Sequence, residues 1–262
     1  MSAQPTPNDA VVVGYDGSPT ADLALDWAAA TAAHQRRELH ILGVRDSVNS
    51  PDRTADALDR IRQAHPGLTA SASAPVGNAR YLLVDAGETA ACVVLGNRGR
   101  SRWRAALLGT VSLSVAMHAN CPVVIIRKRD SVIAPPKKLL VGVDGSSTSV
   151  AAARYAMEIA PAGAEVKVVM AWPTAATADQ IPPAAREILD RVDLADTDGV
   201  SVTKEAVPGH PVDVLTRLAE EADLLVMGRR GSEGFTGLHM GSTAQHVLYE
   251  THCPIVMLPQ QD

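Results

Sequence analysis

Two glycine clusters in this chain share one spacing. Gly96 and Gly99 are followed, after nine residues, by Gly109-Thr110; Gly228 and Gly231 are followed, after nine, by Gly241-Ser242. Each cluster comes directly after a short apolar run, Cys92–Leu95 in one case and Leu224–Met227 in the other, and each leads into helical patterning. Glycines at a strand end let backbone N–H groups approach a ligand closely, and a helix start offers unpaired donors and a dipole that favours an anion. Thr110 or Ser242 adds a hydroxyl. That is the chemistry of a phosphate cradle, written twice in one polypeptide.

A lone Gly-x-x-Gly usually only shapes a turn. The fixed nine-residue interval, the closing Gly-[Ser/Thr] and the second copy in register argue instead for a ligand. Other phosphate-binding signatures are missing. There is no Gly-x4-Gly-Lys-[Ser/Thr] loop, Gly14-Tyr15-Asp16-Gly17 is no dinucleotide fingerprint, and Ser-Gly-Gly-x-Asp-Ser does not occur.

Asp16 and Asp144 each end an apolar run and precede Gly-Ser. Two readings stand: an aspartate that shapes the turn, or a carboxylate that accepts hydrogen bonds from a base amino group or a ribose hydroxyl. Ser18 and Ser146 read as helix caps under either. Arg98, Arg100, Arg102 and Arg104 bracket the first cradle, and Arg229 and Arg230 enter the second. A solvated run and neutralisation of a triphosphate account for them equally.

The elements that must hold these residues are duplicated too. Val11–Ser18 matches Leu139–Ser146 at an offset of 128, Glu38–Leu42 matches Glu165–Val169 at 127, and Val76–Asn78 matches Pro208–His210 at 132. The last offset persists to Cys121-Pro122 and Cys253-Pro254. A period of about 130 residues is a whole domain, not a solenoid unit. The expected domains are 1–130 and 137–262, joined by the polar, proline-bearing stretch Lys128 to Lys138; residues 1–9 read as disordered. In the first half Val11–Tyr15, Leu39–Val44, Leu68–Ala74, Ala91–Leu95 and Val123–Arg127 read as strands, with helices over Thr20–His34, Arg53–Ala64, Asn78–Gly87 and Thr110–Ala119. Strands apolar on both faces, alternating with helices, imply an α/β fold with five parallel strands per half, doubly wound. Ligands in such sheets bind at the carboxyl ends of the strands near the topological switch point.

Composition narrows the function classes. A net charge of −5, mixed signs, and only one Phe, three Trp and four Tyr give neither the basic face nor the stacking platforms of a nucleic-acid binder. No apolar run reaches membrane-helix length, and no export signal is legible. Three cysteines then fit a reducing cytoplasm, with Cys92, Cys121 and Cys253 in structural roles. The eight histidines show no metal spacing and read as solvated or capping groups; no metal site is expected. No serine lies in a nucleophile-elbow context, and no catalytic residue is assigned.

The strand-Asp-Gly-Ser opening, the Gly-x2-Gly-x9-Gly-[Ser/Thr] motif and the closing Cys-Pro-Val-Val and Cys-Pro-Ile-Val strands together resemble the universal stress protein family, in a tandem form covering residues 9–128 and 137–259. The resemblance implies Rossmann-like, adenine nucleotide alpha-hydrolase-like domains that bind ATP, with or without magnesium, and pair through their last strands, with a homodimer as a further association. It implies a stress-response regulator with an unidentified protein partner; the alternative is a slow ATPase or nucleotidyl-transfer enzyme. By carry-over, Asp16 and Asp144 contact adenine or ribose, and Val44 and Ala171 border the base. Phosphates and ribose fall to Gly96, Arg98, Gly99, Gly109 and Thr110, with Val111 and Ser112 behind them. In the second half the same parts fall to Gly228, Arg230, Gly231, Gly241, Ser242 and Thr243. Gly14 and Gly142, before each aspartate, complete the implied set. The first half has Asn78-Ala79 where the second has the family's His210-Pro211, so the second copy stands closer to type.

Overall fold

The computed structural model describes residues 6–97, 99, 108–127, 134–172, 181–194, 199–232 and 239–260. The chain divides into two compact units, Met1–Pro135 and Pro136–Asp262.

In the first unit β1 (Val11–Gly14), β2 (Leu39–Leu42), β3 (Ala70–Ser73), β4 (Cys92–Gly96) and β5 (Val123–Ile126) alternate with α1 (Pro19–Gln35), α2 (Thr54–Ala64), α3 (Ala79–Ala86) and α4 (Thr110–His118). The strand order is β3-β2-β1-β4-β5, all parallel. The second unit repeats it. There β6 (Lys138–Gly142), β7 (Glu165–Trp172), β8 (Ser201–Pro208), β9 (Leu224–Gly228) and β10 (Ile255–Leu258) alternate with α5 (Ser147–Ile159), α6 (Pro183–Arg191), α7 (Pro211–Ala219) and α8 (Ser242–Glu250). Its order is β8-β7-β6-β9-β10, again parallel. Each order reverses direction between its first and fourth strands, which sets the switch point beside the aspartate turn and the glycine loop.

Burial explains why these segments are strands. Val11, Val12, Val13, Val93, Val94, Val226 and Val256 are fully buried, as a sheet covered on both faces requires. Full burial of such a side chain contributes about 1.5–3 kcal/mol. Helix α1 buries Ala21, Ala24, Ala28, Ala29 and Ala32, small residues that let it lie close to the sheet.

Several strands are shorter than their apolar runs suggest. The regular strand ends at Leu42 rather than Val44, though the Gly43 N–H still donates to the Ser73 carbonyl at 2.9 Å and an isolated bridge pairs Arg45 with Val76. Asp9, grouped with a disordered N-terminus, is tied down: its N–H donates to the Thr89 carbonyl at 2.8 Å, and its carboxylate pairs with Arg37.

One histidine corrects the sequence reading. His40 is buried in β2, with Nδ1 2.9 Å from Ser71 Oγ and Nε2 2.8 Å from Ser73 Oγ, both on β3. Its two nitrogens satisfy two hydroxyls, and burial holds its pKa below the usual histidine value. Below pH of about 6.5 the unfolded chain then takes up a proton that the folded chain resists, so stability falls as pH drops through that value toward the folded pKa. His40→Asn should flatten this slope between pH 7 and 5 in denaturant titrations; an unchanged slope removes His40 from the account. The cysteines match their structural reading: Cys92, Cys121 and Cys253 are buried thiols outside any disulfide, and burial pushes the Cys121 thiol up to about 12.

Candidate functional site

At the end of β1 the chain turns through Asp16, Gly17 (φ +75) and Ser18 into α1. Asp16 Oδ1 accepts from the Ser18 N–H at 2.9 Å, and Ser18 Oγ caps α1 by accepting from the Ala21 N–H at 3.2 Å. The Tyr15 hydroxyl donates to Asp22 Oδ1 at 2.8 Å; burial, then that carboxylate, push its pKa up to about 12, so the phenol stays neutral. The second unit builds the same turn with Gly145 at φ +85. Asp144 Oδ1 accepts from the Ser146 N–H at 3.1 Å and the Ser146 hydroxyl at 2.6 Å, while Ser146 Oγ takes the Ser149 N–H at 3.1 Å.

The aspartates also do something the sequence did not disclose. Asp144 Oδ2 reaches across to the glycine loop after β9 and accepts from the Ser232 N–H at 2.8 Å. A Cβ on Gly231 would collide with that same oxygen. In the first unit a Cβ on Gly99 would lie 2.7 Å from Asp16 Oδ2. Each aspartate thus lies where its turn and the neighbouring glycine loop meet. A carboxylate has about four lone-pair sites, so these bonds leave room to accept from a ligand. The turn role and the ligand role are compatible.

The candidate glycines separate by what crowds them. A Cβ on Gly14 would strike Leu95 and Leu83; on Gly142 it would lie 3.0 Å from Leu215. On Gly96 it would lie 2.8 Å from the Thr20 backbone, and on Gly228 2.9 Å from Thr148 Cγ2. These four are accounted for by the protein's own packing. Gly241 is different. Its φ of −74° suits any residue, and among the described residues a Cβ there would meet nothing nearer than 3.8 Å, from Arg229 O and Gly231 N. No described residue requires glycine at this position. The space a side chain would enter is bounded by the Gly231 amide and the start of α8.

Gly109 has the same geometry, with φ −74° and ψ 151°. The Gly109 N–H donates to the Asn97 carbonyl at 2.7 Å, as the Gly241 N–H does to the Arg229 carbonyl at 2.9 Å. Neither α4 nor α8 has a side-chain cap, a feature they share with α2, α6 and α7, whereas α1, α3 and α5 are capped by Ser18, Asn78 and Ser146. The first N–H groups of α4 and α8 receive no side-chain cap from Gly109 or Gly241, and the helix dipole stands behind them.

Thr110 and Ser242 are exposed at the first helical position; Val111 and Thr243 are half-buried. Ser112 is buried and donates its hydroxyl to the Gly96 carbonyl at 2.7 Å, bracing the strand end. Val44 lies just past β2 and Ala171 near the end of β7, both half-buried. Arg230 Nη1 is 2.6 Å from Gln260 Oε1. Arg98, Arg100, Arg102 and Arg104 lie outside the described residues. Among the described residues no group of three or more His, Cys, Asp or Glu could hold a metal, and no helix is long and apolar enough to cross a membrane.

The fold is a tandem of doubly wound α/β units, each with its aspartate turn and glycine loop at the switch point. Comparison with known proteins agrees. The universal stress protein family model matches residues 7–91, 76–127 and 136–259. Universal stress protein Rv2623 of Mycobacterium tuberculosis is 30% identical, over 94% of this chain and 95% of its own length. Universal stress protein Mb2019 of Mycobacterium bovis is 30% identical over 99% and 98%. Among solved structures, a universal stress protein from Archaeoglobus fulgidus superposes with a TM-score of 0.68 at 20% identity, covering 96% of this chain and 98% of that one. The chain belongs to the universal stress protein family, as a two-domain member.

Proposed function

We propose that the protein is an ATP-binding regulator that takes one nucleotide, with or without magnesium, in each unit, and is not a dedicated enzyme. The observation that carries this is Gly241: a glycine that no described neighbour requires, at an uncapped helix start, facing the Gly231 amide. Backbone donors would hold the phosphates, and Asp16 and Asp144 would accept from the ribose or base. Fast hydrolysis needs a general base or metal-ligating carboxylate beside the phosphates. Apart from Asp16 and Asp144, whose carboxylates accept from the N–H groups of their own turns, the sequence offers only Glu233 near a cradle, and it lies outside the described residues. The test is the nucleotide content of protein purified without added ligand. Intact ATP supports the binder; ADP with steady turnover near the enzymatic scale of about 1 s⁻¹ contradicts it.

The pairing of the halves through β5 and β10 belongs to the same proposal. Each stands at one end of its unit's strand order and is a short apolar run, Val123-Val-Ile-Ile126 and Ile255-Val-Met-Leu258, the kind of edge that invites pairing. The tandem chain supplies the partner edge at high effective concentration. Hydrogen exchange on the intact chain should show the amides of both strands protected as well as those of β1 and β6. Exchange at the rate of an open edge contradicts the pairing.

A further inference from the structure

The two clefts differ on the side away from the glycine loops. In the first unit the start of α2 folds over the end of β1: a Cβ on Gly43 would meet the Thr54 side chain and lie 3.3 Å from the Tyr15 carbonyl. A Cβ on Gly17 would lie 2.8 Å from Arg53 Cδ and 3.6 Å from its Nη1. The Arg53 stem therefore runs along the Asp16-Gly17-Ser18 turn with its guanidinium alongside. Arg53 is exposed and makes no ion pair among the described residues. In the second unit the same place is taken by Ile188 of α6, whose Cγ1 lies 3.0 Å from where a Cβ on Gly145 would stand. A neighbouring exchange runs the same way. The Gly77 N–H donates to the Arg45 carbonyl at 3.0 Å and the Gly209 N–H to that of Trp172 at 2.9 Å, which makes a cation and an indole counterparts at the second strand's end.

Resting on the reading of the clefts as purine-nucleotide sites with the base toward the second strand, we infer that the first cleft selects guanine over adenine through Arg53, and that the second selects adenine. Guanine carries the O6 and N7 acceptors beside the N1–H donor; adenine carries an N6 amino donor where guanine has O6. A guanidinium takes O6 and N7 as a bidentate pair, and the neighbouring Asp16 carboxylate takes the N–H edge. Beside Ile188 that O6 would lose water without gaining a donor, whereas the adenine amino group still finds Asp144.

The test uses the full chain in three forms: Gly241→Glu, which leaves the first cleft; Gly109→Glu, which leaves the second; and Gly241→Glu with Arg53→Gln. Each is titrated with GTP and with ATP, and its unfolding midpoint is measured as a check on the fold. The first cleft should bind GTP about tenfold or more tighter than ATP, the second should show the reverse order, and Arg53→Gln should erase the first cleft's preference. A first cleft that takes ATP as well as GTP overturns the inference, as does a preference that survives Arg53→Gln. Absence of any nucleotide binding to the parent chain overturns the nucleotide reading itself, which is a separate and recognisable failure.

Discussion

Replacing Gly241 with glutamate is expected to remove one ATP-binding event per chain while leaving the unliganded protein folded. The backbone tolerates the change, since φ is −74° and the nearest atoms of the described residues to a new Cβ are 3.8 Å away. The carboxylate would enter the space between the Gly231 amide and the start of α8, placing negative charge where phosphates are proposed to sit and occupying their donors. Gly109→Glu should do the same in the first unit, where φ is also −74°. Titration should lose one site in each variant and both in the double variant, with the ligand-free unfolding midpoint shifted by no more than about 2 °C. The contrast is Gly228→Glu. A Cβ there lies 2.9 Å from Thr148 Cγ2 and 3.1 Å from the Arg230 carbonyl, so that change should damage the fold as well. If Gly241→Glu binds ATP as the parent does, the cradle is in the wrong place.

The second large effect is expected at Asp144. Alanine would remove the acceptor for the Ser146 N–H, the Ser146 hydroxyl and the Ser232 N–H together. The site is partly open to water, which replaces some of what is lost, so the net cost should be about 2 kcal/mol. For a chain of this size that is a fall of about 4–8 °C in the unfolding midpoint. ATP binding in the second unit should weaken by at least about tenfold, because the Gly231-Ser232 loop loses its anchor and the ligand its acceptor. Asp144→Asn should fall between, since its amide keeps one acceptor but aims N–H groups at another donor. Exchange of the Ser232 amide should rise in step with lost affinity; strong binding by Asp144→Ala contradicts both roles.

The fold was legible because duplicated apolar runs and glycine turns repeat at offsets of 127 to 132, and a parallel sheet writes its strands as continuous β-branched segments. The helix caps were legible for the same local reason: Ser18 and Ser146 each sit where a turn meets a helix, and both accept as expected. What pattern could not convey was long-range contact. The bond from Ser232 to Asp144 spans 88 positions, and nothing local to either residue announces it. His40 looked like a surface histidine because its partners, Ser71 and Ser73, lie on a different strand. The one available signal was its place inside the run Leu39–Leu42, between residues buried on both sides. Ser112 enters the implied ligand set by carry-over from the family, and pattern did not convey that its hydroxyl donates to the Gly96 carbonyl on β4. Glycine identity was similarly ambiguous: Gly96 and Gly241 share a motif, but only the crowding by Thr20 at the first separates a packing glycine from one that leaves room.

The central claim is that each unit of this universal stress protein holds a nucleotide in its glycine-lined cradle. Calorimetric titration of the intact chain with ATP and magnesium tests it most directly. The account predicts two bound ATP per chain, the weaker in the first unit, falling to that one in Gly241→Glu. No detectable binding up to millimolar ATP, where a complex would still be worth about 4 kcal/mol, contradicts it.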